Sequence, residues 1–202
     1  MKETFENQRM DPRLTWFCEP QTWQVDMEKH CLRLETDADT DFWRKTHYGF
    51  EADNGHFLYW VAENDFCLCT RVRFGFVNQY DQAGLMVRVS PTCWIKTSVE
   101  YEPEGPSQLG AVVTHAGYSD WSTQPFQSQG TEICLRIFRT GSDYKIESSL
   151  DGQSWQQIRL THLDQELGKA IQCGLYACSP KGRGFVAEFD FLSLDLNPDS
   201  AS

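Results

Sequence analysis

DQAGLMVRVSPTCWIKTSVE, residues Asp81–Glu100, is the stretch that decides the fold. In Gln82–Ser90, Leu85, Val87 and Val89 alternate with Met86, Arg88 and Ser90. In Trp94–Glu100, Ile95 and Val99 alternate with Trp94, Lys96, Ser98 and Glu100. Successive side chains of a strand point to opposite faces. The stretch therefore predicts two β-strands joined by a short turn, with one aliphatic face suited to a core. The other face carries Arg88, Trp94, Lys96 and Glu100, a mixture suited to holding a polar ligand.

Turn signals recur at short intervals on either side of this pair. Asp53-Asn54-Gly55, Asn78–Asp81, Ser90-Pro91, Pro103–Pro106, Gly141-Ser142, Asp151-Gly152 and Lys181–Gly184 separate strand-like runs. Such spacing favours an all-β sandwich over alternating β and α units. The expected strands are Trp23–Asp26, Cys31–Glu35, Gly55–Ala62, Phe66–Phe76, Gln82–Val89, Trp94–Glu102, Gly110–His115, Glu132–Thr140, Asp143–Leu150, Gln156–Leu160, Ile171–Ala177 and Gly184–Leu196. In Phe66–Phe76, Cys67, Cys69, Arg71 and Arg73 occupy the face opposite Phe66, Leu68, Val72 and Phe74. Ser149–Trp155, SLDGQSW, reads as a hairpin with a two-residue Asp-Gly turn. Helix is expected at most as one turn at Leu163–Gly168. No linker divides the chain, so residues 1–196 read as one domain and residues 197–202 as a disordered tail.

Composition limits the function classes. The chain has 202 residues, and its formal net charge of -11 disfavours nucleic acid and anionic membrane as partners. No apolar run approaches the ~18 residues of a membrane span, and the N-terminus lacks the apolar centre of a signal peptide. A cytoplasmic location is expected. In that compartment the eight cysteines, Cys18, Cys31, Cys67, Cys69, Cys93, Cys134, Cys173 and Cys178, read as reduced thiols. Their closest pairs, C-x-C and C-x4-C, do not match zinc spacing. Asp37, Asp39 and Asp41 are the one run with the composition of a calcium loop, and they also read as a plain acidic loop. No metal or cofactor is expected.

Three segments together carry a family resemblance: TDFWRKTHYGF at Thr40–Phe50, DQAGLMVRVSPTCWIKTSVEYE at Asp81–Glu102, and GLYACSPKGRGFVAEFDFLSLDL at Gly174–Leu196. They resemble the regulation of enolase protein 1 family, and a related domain at the C-terminus of certain β-xylosidases that shares D-Q-A-G-L-M-x-R…W-x-K…E. The resemblance implies a concanavalin A-like jelly roll, two antiparallel sheets curved around a concave groove. The family is named for a regulatory effect rather than a reaction, so the resemblance implies no set of functional residues.

Concanavalin A-like glycosidases place two carboxylates on one strand face. Their separation is roughly 5–5.5 Å for retaining and 6.5–9.5 Å for inverting chemistry. Glu100, Glu102 and Glu104 have i, i+2, i+4 spacing, but Pro103 and Gly105-Pro106 end the strand before Glu104. The expected groove contacts are Trp43, His47, Tyr59, Gln82, Arg88, Trp94, Lys96 and Glu100. Aromatic rings beside directional hydrogen-bonding groups suit a carbohydrate or related polar metabolite, and Arg88 with Lys96 would favour an acidic or phosphorylated one. Tyr48, and the His115 and Ser119–Trp121 segment, could rim the groove. Two alternatives stand beside non-catalytic binding: a glycoside-active enzyme using Glu100, and a regulatory module whose partner is another protein.

Overall fold

The computed structural model describes residues 1–126, 130–164 and 169–196. The turn expected at Leu163–Gly168 falls largely outside these residues, and the tail at 197–202 wholly so. Among the described residues every regular element is a strand. One sheet runs in the spatial order β15 (Gln156–His162), β14 (Asp143–Ser149), β13 (Glu132–Thr140), β8 (Phe66–Gly75), β17 (Val186–Asp195), β4 (Cys31–Glu35) and β3 (Thr22–Asp26), and β1 (Lys2–Glu3) also pairs β17. The other runs β12 (Tyr118–Pro125), β11 (Gln108–His115), β10 (Cys93–Glu100), β9 (Gln82–Ser90), β16 (Ile171–Cys178), β7 (His56–Ala62) and β2 (Thr15–Phe17). Neighbouring strands in both sheets are antiparallel. A separate two-stranded ribbon pairs β5 (Phe42–Arg44) with β6 (Glu51–Asp53).

The period-2 pattern sets the register of the sandwich. Leu85, Val87, Ile95 and Val99 lie in the main core with Leu58 and Trp60 of the same sheet, and with Phe66, Leu68, Val72, Leu135, Ile137 and Phe189 of the other. Trp94 pairs Arg88 and Lys96 pairs Met86 across β9 and β10, which keeps the alternate residues together on the opposite face. There Met86, Trp94, Val112 and Tyr176 join Phe42, Trp43, Phe57 and Cys178 in a second apolar cluster.

Two expectations about local chemistry change. The hairpin between β14 and β15 is not a two-residue turn. Six residues, Leu150 to Trp155, connect the strands, because Asp151 organises a longer loop. Its carboxylate accepts the Gln153 and Ser154 N–H groups at 2.8 and 2.7 Å and the Ser149 hydroxyl at 2.8 Å. Trp155 lies against the Arg136 guanidinium, 4.1 Å from the ring centre. The acidic run likewise disperses. Asp37 lies beside His56, whose Nε2 accepts the Asp37 N–H at 2.9 Å, Asp41 turns to Lys96, and Asp39 is exposed. Among the described residues, no three His, Cys, Asp or Glu side chains could hold a metal ion.

Candidate functional site

The β9–β10 face expected to line an open groove is roofed by residues 37–55. Two carboxylates at the base of the β5–β6 ribbon reach down to two cations of the sheet. Asp41 Oδ1 accepts from Lys96 Nζ at 3.1 Å, and Asp53 Oδ2 from Arg88 at 2.8 Å. Phe42 pairs Asp53 across the ribbon, so both clamps sit at the same end of it. Between them the Phe42 ring packs edge-on to Trp94 and Tyr176. Gly55 permits this seat, since a Cβ there would collide with the Phe42 ring and Cys178 Sγ. A third tie comes from β12, where Ser119 Oγ accepts the Arg44 N–H at 2.9 Å and bonds Thr114 Oγ1 at 2.7 Å.

These contacts relocate several expected ligand contacts. Trp94 is 0% exposed, so its ring cannot be a platform for a ligand. Arg88 is 5% exposed, held by Asp53 and covered by the Phe17 ring 4.7 Å away. Tyr59 shares the outer face with Phe57, against which it stacks, and lies outside the cleft. His47 is exposed at the ribbon tip with φ +64°, its ring against Tyr48, and also lies outside. His115 is exposed and pairs with Asp164 at 3.3 Å.

Beside the roof a cleft of about 530 Å³ remains. Trp43, Gln82, Lys96 and Glu100, all expected from the sequence, line it together. They are joined by Asp39, Asp41, Tyr48, Phe50, Ala52, Tyr80, Val112, Trp121, Pro180 and Lys181. The ribbon supplies one aromatic wall, in which Trp43 stands 5.6 Å from Tyr48 and 6.5 Å from Phe50 between ring centres. Trp43 is pinned by its indole N–H, which donates to Thr46 O at 3.1 Å. Trp121 of β12 lies opposite Val112 across the β11–β12 ladder and supplies another wall. Tyr80 reaches the cleft from a turn in which it adopts φ +69°. That turn is held by Asp81, whose carboxylate accepts the Val77 and Asn78 N–H groups at 2.9 and 2.7 Å.

The floor is polar and ordered. Gln82 Nε2 donates to Tyr80 O at 3.1 Å and to Glu100 Oε2 at 3.0 Å, while its Oε1 accepts from the Tyr176 hydroxyl at 3.2 Å. These three partners fix the amide orientation. Burial pushes the Glu100 carboxyl up to about 7, the nearby Asp41 and Glu102 charges add to the rise, and Lys96 and the Gln82 bond oppose it. Lys96 cannot fully offset burial, since its ammonium is bonded to Asp41. The arrangement can stack a flat apolar ring face, accept hydrogen bonds through Glu100 and donate one through a protonated Glu100.

Of the residues that the expected contacts omitted, Tyr80, Phe50 and Lys181 stand in turns and at rims where no periodicity marks them. Asp41 stood out only as part of an acidic run, and its pairing with a lysine 55 positions away has no local signature.

Known proteins share this arrangement of strands. A family model described as "Protein of unknown function (DUF1349)" matches residues 16–196. Regulation of enolase protein 1 of Saccharomyces cerevisiae is 35% identical over 180 residues, 89% of this chain and 88% of the yeast protein. The crystal structure of a functionally unknown protein from Saccharomyces cerevisiae superposes with a TM-score of 0.81 at 34% identity, covering 90% of this chain and 95% of that one. The GH43 protein BlXynB from Bacillus licheniformis gives a TM-score of 0.77 at 16% identity, covering 96% of this chain and 39% of the enzyme. At that identity the likeness shows the jelly-roll fold alone.

Proposed function

This chain belongs to the family of the yeast regulation of enolase protein 1, described as "Protein of unknown function (DUF1349)", and from that premise we propose that its roofed cleft binds a carbohydrate without transforming it. The observation that carries this reading is the pairing of aromatic walls, Trp43, Tyr48 and Trp121, with a directional floor of Gln82 and Glu100 in one cleft. A pyranose offers the matching surfaces: a C–H face for the rings and hydroxyls for the floor. Arg88 and Lys96 do not supply free positive charge, because each is bonded to a carboxylate of the ribbon. An acidic or phosphorylated sugar therefore gains little from them.

Titration calorimetry with neutral mono- and disaccharides tests the reading. Trp121→Ala should weaken binding by about tenfold, the order expected when a stacking aromatic contact of ~1 kcal/mol and its buried area are lost. Sugar binding that is absent at millimolar concentrations, or unchanged in Trp121→Ala, would refute it.

One observation favours a second, catalytic reading. A carboxyl titrating at about 7 in a cleft has the proton affinity wanted of a general acid. Turnover of aryl glycosides that disappears in Glu100→Gln would support an enzyme and displace the binding reading. The name of the yeast relative supports a third, regulatory reading, in which the partner is another protein.

A further inference from the structure

Several carboxylates packed into this molecule are held by a cation or by more than one protein donor, and the half-buried Glu100 is not. Glu3 accepts the Phe5 and Asp11 N–H groups at 2.9 and 2.7 Å. Asp81 accepts two backbone N–H groups and the Ser179 hydroxyl. Glu147 pairs with Arg136 and Lys145 at 2.6 and 3.1 Å. Asp41 and Asp53 each hold a cation. Glu100 accepts a single bond, from the neutral Gln82 amide to Oε2, and forms no ion pair among the described residues. Among the described residues no donor reaches its Oε1, and the side chain lines the cleft. A partly buried carboxylate with one neutral donor has acceptor capacity to spare, and a donor on a ligand in the cleft can fill it.

The rest of the cleft says which kind of donor. Trp43, Tyr48, Phe50, Tyr80 and Trp121 line the space with aromatic rings, and the negative quadrupole of a ring face attracts cations. Asp39 adds a carboxylate at the rim, and Lys181, exposed at the rim, is the cation lining the cleft that no carboxylate of the described residues holds. The floor cation, Lys96, is engaged by Asp41. An anion would meet Glu100 and Asp39, whereas a cation would find both carboxylates and the rings.

We propose that the ligand carries an ammonium group, as an amino sugar does, and that this group docks on Glu100 Oε1 between the aromatic walls. The sugar ring rests on the carbohydrate reading, while the ammonium contact rests on the charges and rings alone. Docking takes the ionised carboxylate, so a cationic ligand displaces the Glu100 proton. The groups that face Glu100 are Lys96 of β10, Gln82 of β9, Tyr176 and Cys178 of β16, Asp41 at the base of the ribbon, and Tyr80 and Glu102 of the flanking turns. With the carboxyl held near 7 by burial, binding of a permanent cation should strengthen as pH rises from 6 to 8.

Calorimetry with three probes decides the matter: glucosamine and glucose, which differ by one amine, and choline, whose charge does not titrate. Glucosamine should bind about tenfold more tightly than glucose at pH 7, since a charge-assisted hydrogen bond is roughly twice as strong as a neutral one. Glu100→Gln should erase that advantage, so that glucosamine and glucose bind alike, and should flatten the pH dependence of choline binding. Tyr48→Leu, at an exposed ribbon position that leaves the floor intact, should weaken choline binding severalfold. Equal affinity for glucosamine and glucose overturns the ammonium contact and leaves the carbohydrate reading standing. Choline binding with no response to either sugar overturns the carbohydrate reading and supports the ammonium contact. No heat from any of the three probes overturns both.

Discussion

At Glu100 burial and charge leave a signature in stability as well as in binding. Its carboxyl is raised from 4.5 to about 7 in the folded chain, so the folded state holds the proton more tightly than the unfolded state. The stability this contributes is fully present below the unfolded value of about 4.5 and is lost as pH rises through about 7. A shift of that size corresponds to up to roughly 3 kcal/mol. Glu100→Gln keeps the shape and removes the titration. The variant should match the parent near pH 4 and exceed it by up to about that amount at pH 8. Urea midpoints measured from pH 4 to pH 8 check this, and parallel curves for the two proteins would refute it.

At the scale of the element, the β5–β6 ribbon is bonded to the sheet through side chains rather than a ladder. Asp53→Ala leaves Arg88, 5% exposed, without its partner. Breaking a buried pair in this way costs about 3–5 kcal/mol. Glu51→Ala removes a partner of Arg44 and Lys45 from the exposed side of the same ribbon, and should cost no more than about 1 kcal/mol. Trp94→Ala belongs with the first of these. The residue looked from its strand position like a ligand platform, but it is buried under Phe42, and truncation should cost about 3–5 kcal/mol. Denaturant melts of the three variants give the comparison. Equal losses in Asp53→Ala and Glu51→Ala would mean that the clamps do not hold the roof.

At the scale of the molecule, the first and last strands in sequence, β1 and β17, pair in one sheet. Lys2 pairs Ser193 and Glu3 pairs Leu192, and the N-terminal ammonium donates to Leu194 O. Phe5 follows at 0% exposure within the main core, with φ +54° turning the chain inward. Phe5→Ala should therefore cost about 3–5 kcal/mol, as much as a substitution in a central strand. A thermal melt shifted by less than a degree would show that this end of the chain is not part of the cooperative unit.

How much of this was legible depended on whether the signal was local. Alternation in Phe66–Gly75, Gln82–Ser90 and Cys93–Glu100 determined the strands, their faces and the sandwich, because a side chain's face follows from its parity along the strand. Dense turn signals determined the all-β class, and Arg88, Trp94, Lys96 and Glu100 were placed on the outer face by parity alone. The five strands that escaped notice, at Lys2–Glu3, Thr15–Phe17, Phe42–Arg44, Glu51–Asp53 and Tyr118–Pro125, are mostly too short to show a period. Tyr118–Pro125 is a polar edge strand with no buried face to mark it. What the outer face became was decided only by the tertiary structure. Parity says which way Arg88, Trp94 and Lys96 point, and it is silent on what covers them. Their cover comes from Asp41, Phe42 and Asp53, 35 to 55 positions away. Pairing over that distance depends on the closure of the whole sandwich, which brings ribbon and sheet together and converts two expected ligand contacts into clamps.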